Sequence, residues 1–207
     1  MPRFGDLSVT QFLDALAAST PTPGGGTAAA IAAGIGTALL MMVGGLARSR
    51  TNAEEEKAAL TEARAALVPL RDRLIYLADA DAEAFDRVMI AYRLPKSTDA
   101  DKALRKQAVQ EALKVASTTP LEVLRATTQA VRLARPIAAH GNRSAVSDVR
   151  VALELLEASA AGAAANIEIN IVSLDDERFR KATAADIVEL TNKVTEDAAA
   201  ARAALAP

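Results

Sequence analysis

Apolar residues recur along most of the chain at the three- and four-residue spacing of an α-helix, and strand-like alternation is nearly absent. Prolines, glycines and capping residues divide this pattern into about seven predicted helices. The sequence therefore predicts an all-α fold: a helical bundle in a single domain over residues 1–207, with one long helix kinked at Pro69. We expect these helices over residues 8–20, 24–48, 53–94, 99–116, 120–136, 143–172 and 183–205.

The second predicted helix lies in a stretch without any charged residue, from Ala15 to Ala47. Residues 24–47 are long enough to cross a bilayer. However, seven of the ten glycines lie there and no Trp or Tyr flanks it. The start of the chain also lacks the pattern of a signal peptide. We interpret the segment as a buried core helix with enough apolar surface to form a homodimer, and we expect no membrane partner.

Composition narrows the chemistry available to this chain. Apolar residues make up 51 %, charged residues 24 %, and the formal net charge is −2, so a nucleic-acid partner is not expected. There is no cysteine and only one histidine, His140. We therefore expect no metal site and no cysteine nucleophile. Any reaction must use carboxylates, amides, hydroxyls, lysine or arginine.

Asp81 interrupts an apolar row of the third predicted helix. Leu60, Leu67, Leu74 and Val88 share its seven-residue spacing, which places Asp81 on a buried seam. A buried carboxylate is costly unless it is paired. Two interpretations remain: a structural ion pair or cap, or an acid/base group whose pKa burial would raise.

The sixth predicted helix carries amides where apolar residues are expected. Its apolar seam, from Val149 to Ile167, continues into Asn170. Asn166 lies one turn earlier, on a second uncharged face that begins with Asp148. Buried amides need hydrogen-bond partners. Either another helix or a polar ligand would supply them.

Three further segments are candidate binding elements. The Gly24-Gly25-Gly26 run opens a helix, where exposed N–H groups bind anions, although a simple turn explains it equally well. A polar turn from Asn142 through Ser147 to Asp148 opens the sixth helix. Lys96 follows the third helix and would meet a carboxylate ligand or simply remain solvated.

These segments together resemble the folate cyclodeaminase/cyclohydrolase family, which includes the cyclodeaminase half of formiminotransferase-cyclodeaminase and stand-alone methenyltetrahydrofolate cyclohydrolases. Pro21-Thr22-Pro23-Gly24-Gly25-Gly26-Thr27 resembles its first motif. Asp81-Ala82-Glu83-Ala84-Phe85 with Leu94-Pro95-Lys96 resembles the second. Asn142 through Asp148, followed by Asn166-Ile167-Glu168-Ile169-Asn170, resembles the third.

The resemblance implies a cytoplasmic, all-helical homodimer that acts on tetrahydrofolate derivatives without a metal or redox cofactor. Cyclodeamination would convert 5-formiminotetrahydrofolate to 5,10-methenyltetrahydrofolate and ammonia, and cyclohydrolysis would add water to the methenyl carbon. Asp81 and Asp148 would divide the acid/base and pterin-holding roles. Substrate would be bound by Gly24, Gly25, Gly26, Lys96, Asn142, Ser147, Asn166 and Asn170.

Two other classes of protein compete with the enzyme. A non-catalytic folate-binding protein would bind folate tightly without turnover. A plain helical interaction protein would not bind folate at all.

Overall fold

The computed structural model describes residues 3–205, and within that range it contains six α-helices, two short 3₁₀ turns and no strand. The all-α prediction is confirmed, whereas the number of helices is not the predicted seven. The 3₁₀ turns span Phe4–Asp6 and Arg143–Ala145. The helices are α1 (Val9–Ala17), α2 (Gly25–Gly44), α3 (Glu54–Tyr92), α4 (Asp99–His140), α5 (Val146–Val172) and α6 (Glu177–Ala204).

The predicted break at Thr119-Pro120 is wrong, because α4 runs through both Pro120 and Pro136 as one helix of 42 residues. A proline removes the hydrogen bond to the carbonyl four residues earlier, so Pro120 frees the carbonyl of Ala116. The side chain of Asn170 donates to that carbonyl at 2.7 Å. A replacement donor from another helix thus lets α4 continue.

Side-chain caps define the starts of α1, α4 and α6. Ser8 and Gln11 form the predicted capping box of α1. In contrast, α6 begins six residues earlier than predicted, because the side chain of Asp176 caps it by accepting from the Phe179 N–H at 3.0 Å. The second helix ends at Gly44 rather than near Arg48.

Small residues let α2 pack closely between α3 and α5. A side chain at Gly36 would collide with the Ala152 carbonyl of α5, and Gly162 of α5 lies opposite Ala29. The two helices therefore run antiparallel. Among the described residues, α2 alone is long and apolar enough to cross a membrane, and 61 % of its most apolar window is buried.

One side of α2 is left without cover. We call it the α2 face; its members are all apolar and partly or fully exposed, and they are Ala28, Ile31, Ala32, Ile35, Ala38, Leu39 and Met42. Ile35 is 51 % exposed and Met42 is 42 % exposed. An apolar strip of this length on a surface is typical of a protein–protein contact.

Candidate functional site

The Asp81 carboxylate lies against the N-terminus of α2. Thr27, in the first turn of α2, places its hydroxyl 3.1 Å from Asp81 Oδ2. Its backbone N–H faces the same carboxyl group and lowers the pKa of Asp81. Helix N-termini attract anions because their first N–H groups lack partners within the helix. The predicted Asp81 seam is confirmed, since Leu60, Leu67 and Leu74 are buried along the same row.

Gly26 makes this approach possible. A Cβ atom at position 26 would overlap all three atoms of the Asp81 carboxyl group. Gly25 is different, since a Cβ there would sit at an ordinary 3.5 Å from Asn166 Nδ2. The glycine run is therefore more than a flexible turn: one of its members leaves the space that the carboxylate fills.

The environment of Asp81 favours the protonated acid. Burial raises the pKa of Asp81 above its ordinary value of 3.8, and the two hydrogen bonds from Thr27 only partly oppose this. No cation pairs with Asp81 within residues 3–205. The structural ion pair considered for this position is thus absent from the described chain. The contact with the first turn of α2 fits the alternative of a cap for a neighbouring helix, and the acid/base role stays a prediction.

Thr27 was missing from the predicted site residues, although it closes the Pro-x-Pro-Gly-Gly-Gly motif. Its hydroxyl also lies 3.3 Å from the Ala78 carbonyl oxygen. With Asp81 ionised, the hydroxyl donates to the carboxylate. With Asp81 protonated, it can accept from the acid and donate to Ala78 instead. Thr27 therefore accommodates both protonation states of Asp81.

The two predicted amides have different roles. The side-chain nitrogen of Asn170 donates to the Ala116 carbonyl, so Asn170 links α5 to α4. Asn166 donates to the Gly162 carbonyl of its own helix at 2.8 Å and lies beside Gly25. Its side-chain oxygen accepts no hydrogen bond from the described residues and remains available to a ligand.

The polar turn before α5 lies at the other end of the molecule. Asp148 and Asn166 are separated by 18 residues of one helix, or about 27 Å. Asn142 caps the turn locally, accepting from the Ser144 N–H at 2.9 Å and from its hydroxyl at 2.8 Å. Ser147 is exposed and Asp148 half-buried in the first turn of α5. One chain therefore does not bring Asp148 next to Asp81.

Lys96 is exposed in the loop after α3. From Asp81 to the end of that helix the chain rises about 17 Å, so Lys96 does not contact the carboxylate. Across the described residues, no group of three His, Cys, Asp or Glu side chains could hold a metal ion.

Comparison with known proteins matches these features to one family. Residues 8–189 match the family described as formiminotransferase-cyclodeaminase. The chain is 42 % identical over 175 residues to a methenyltetrahydrofolate cyclohydrolase of Methylorubrum extorquens, covering 84 % of each chain. It is 32 % identical to formimidoyltransferase-cyclodeaminase of Gallus gallus, covering 91 % of this chain but only 35 % of that longer protein.

A solved structure agrees over the whole fold. The crystal structure of a formiminotetrahydrofolate cyclodeaminase from Thermotoga maritima superposes with a TM-score of 0.86 at 28 % identity, covering 97 % of this chain and 96 % of the other. The first, second and third motifs all lie within the matched region. On its sequence and its fold, this chain belongs to the formiminotransferase-cyclodeaminase family.

Proposed function

We propose that this protein is a tetrahydrofolate one-carbon enzyme, a formiminotetrahydrofolate cyclodeaminase, a methenyltetrahydrofolate cyclohydrolase, or both. The observation that carries the proposal is the Asp81 carboxylate, held without a cation at the N-terminus of α2 with its pKa raised. The named relatives carry out one or the other reaction, and this chain has the length of a stand-alone relative.

Both reactions need one group that accepts a proton and then returns it. In cyclodeamination, N10 of 5-formiminotetrahydrofolate bonds to the formimino carbon and loses its proton. The bond from that carbon to the formimino nitrogen then breaks, and the nitrogen leaves as ammonia after gaining protons. In cyclohydrolysis, water loses a proton as its oxygen bonds to the methenyl carbon. The ring bond to N5 then breaks as N5 takes up a proton and the new hydroxyl group loses its own, giving the 10-formyl product.

Asp81 is the proposed carrier of that proton. A carboxyl group whose pKa is raised towards neutrality gives up and takes back a proton more evenly than an ordinary aspartate. Thr27 supports each state by switching its hydroxyl between Asp81 and Ala78. Asn166, whose side-chain oxygen accepts no hydrogen bond from the described residues, would hold an N–H group of the pterin.

Two substrates separate the possible activities. The purified protein is given 5-formiminotetrahydrofolate and, separately, 5,10-methenyltetrahydrofolate, and the methenyl absorbance is followed against a buffer blank. A gain with the first identifies a cyclodeaminase, and a loss with the second above the blank identifies a cyclohydrolase. Asp81→Asn should lower either rate about 10²–10⁴-fold, whereas the exposed Asp86→Asn on the same helix should not. Tight folate binding without turnover would instead favour the non-catalytic protein.

We also propose that the working enzyme is a cytoplasmic homodimer joined through the α2 face. A two-fold axis perpendicular to α2 reverses that helix in the second copy. The end of one copy that carries Asp81 and Asn166 then meets the end of the other that carries Asn142, Ser147 and Asp148. Each site would combine both motif groups, with two identical sites in the dimer.

Complementation tests the shared site. Asp81→Asn and Asp148→Asn chains carrying different tags are co-expressed, and the mixed dimer is purified through both tags. One of its two sites then has both aspartates, so about half of the wild-type rate should return although each variant alone is inactive. An inactive mixed dimer would place both residues in one chain's site, and full activity of Asp148→Asn alone would remove Asp148 from catalysis.

A further inference from the structure

Helix α1 (Val9–Ala17) is poorly supported by the rest of its own chain. It buries none of its residues, and Val9 is 78 % and Leu13 57 % exposed. A helix of nine residues is only marginally stable by itself in water, even with a capping box. Phe12 and Leu16, one turn away, are partly buried, and the Phe12 ring packs against Phe4 with the ring centroids 6.1 Å apart. The apolar residues of α1 that lack a surface to cover them are therefore Val9 and Leu13.

The outer groove between α2 and α3 is covered by its own chain only in part. The turn Phe4–Asp6 packs against α3: the Phe4 N–H donates to Asp79 Oδ1 at 2.7 Å, and Gly5 lies against Ile75, which in turn lies against Gly34 of α2. Towards the C-terminus of α2, the groove opens into a cavity of about 530 Å³. Its apolar lining includes Gly44, Gly45, Leu46, Leu60, Ala65 and Val68.

The charges of the helix and of the cavity are complementary. Between Phe4 and Ala47 the only charged residues are Asp6 and Asp14. The cavity lining contributes no carboxylate, and of its two cations Lys57 is paired with Glu54 at 2.7 Å, so Arg64 is the cation that Asp14 would meet. Leu46 and Val68 at its rim are each 37 % exposed, which matches the apolar edge of α1. Opposite charge around an apolar contact favours one orientation of docking.

We propose that α1 docks through Val9 and Leu13 into the open end of the α2–α3 groove of a second copy of this chain. The proposal rests on the homodimer described under Proposed function. Its two-fold axis keeps the α3 side of both copies together and reverses α2. It therefore carries α1, at the N-terminal end of α2, over the partner's cavity at the C-terminal end. Each copy therefore inserts its own α1, which we call the arm, into the groove of the other copy, so the dimer contains two such contacts.

The absence of native cysteine permits a direct test by disulfide formation. Chains with Leu13→Cys and Val68→Cys, carrying different tags, are co-expressed and mildly oxidised. Most of the mixed dimer should become covalent and should separate again on reduction. Leu13→Cys with Val188→Cys is the matched control, since Val188 is 60 % exposed on α6, and it should stay unlinked.

A second measurement uses the same surface without cross-linking. Leu13→Ser should raise the dimer dissociation constant about tenfold, whereas Val188→Ser should leave it unchanged. Equal dissociation constants for the two variants, or a dimer that forms no Leu13→Cys/Val68→Cys link, would overturn the docking of α1 while leaving the enzyme proposal intact. A monomeric wild-type protein in light scattering would overturn both the arm and the shared site, and the turnover assay would still decide the activity.

Discussion

The N-terminus of α2 and the N-terminus of α5 contain similar polar residues but arrange them differently. Each has a hydroxyl residue and an aspartate close by, supplied by Thr27 and Asp81 at one end and by Ser147 and Asp148 at the other. At α2, the aspartate comes from a different helix, 54 residues away from the threonine that binds it. At α5, the aspartate lies in the first turn of the helix itself.

This difference separates a site built by packing from one built by local chain geometry. Asp81 lies where α2 and α3 pack together, and burial there raises its pKa. Asp148 sits where any helix favours a carboxylate, through the helix dipole. The first environment changes the carboxyl group within one chain, whereas the second needs something outside the chain to do so.

Among the changes that test this comparison, Gly26→Ala is expected to have the largest effect, a loss of enzymatic rate. The added methyl group would occupy the space of the Asp81 carboxyl group, which must then shift. A displacement of about 1 Å in a catalytic group costs roughly 10²-fold in rate. We expect such a loss in the rate of methenyl formation or hydrolysis, with the helical circular dichroism unchanged.

Gly25→Ala is the matched comparison for that variant. Its methyl group would meet Asn166 Nδ2 at 3.5 Å, an ordinary contact, so its effect on the rate should be clearly smaller. Equal losses in the two variants would show that the glycines serve the backbone of the turn rather than the position of Asp81.

A smaller effect, on stability rather than on rate, is expected from Asn170→Ala. This change leaves the Ala116 carbonyl without a donor, at a cost of about 1–3 kcal/mol in the free energy of unfolding. Pro120→Ala restores a backbone N–H that can bond to the same carbonyl. The double variant should therefore lose less stability than Asn170→Ala alone, as measured by urea unfolding.

The sign of that coupling decides what Asn170 does. If the two changes add independently, the amide does not compensate for the proline, and its principal partner would be a ligand. If the rate per folded molecule also falls strongly in Asn170→Ala, the amide serves both the fold and the substrate.

Sequence reasoning succeeds here where one helix face determines the outcome. The apolar rows of α3 and α5 predict the buried residues correctly, from Leu60 to Val88 and from Val149 to Ile167. The same rows single out Asp81 as out of place. Sequence reasoning fails where a distant residue compensates for a local signal. Pro120 locally predicts the start of a helix, but Asn170, 50 residues further along the chain, supplies the hydrogen bond that Pro120 lacks, and α4 continues.

The candidate site shows the same limit. Asp81, Gly25, Gly26 and Asn166 are all recognisable from sequence, and the fold brings them together at the N-terminus of α2. The predicted helix over residues 143–172 already separates Asp148 from Asn166, but its distance from Asp81 depends on the antiparallel packing of α2 and α5, which one helix face does not reveal. Thr27 was missed since a threonine in a first turn is usually only a cap.

The smallest expected effect is a pH dependence of the free energy of unfolding that arises from Asp81 at the N-terminus of α2. Because the pKa of Asp81 is raised above 3.8 in the folded protein, the native state binds the proton more tightly than the unfolded chain. The stabilisation by the protonated acid is complete below pH 3.8 and is lost as pH rises through the raised pKa. Asp81→Asn keeps the shape and carries no charge, so it should gain stability relative to wild type over that window.

Thermal unfolding of wild type and Asp81→Asn, compared at one protein concentration from acidic to neutral pH, measures this gain. The difference in free energy of unfolding should grow with pH and then level off. Thr27→Val removes a hydrogen bond that lowers the pKa of Asp81, so in that background the pKa rises further and the window extends to higher pH. A difference that instead shrinks with rising pH would mean that the ionised carboxylate is the stabilised form. The helix N-terminus would then outweigh burial, and Asp81 would act as a fixed anion that orients the substrate rather than as the group that carries the proton.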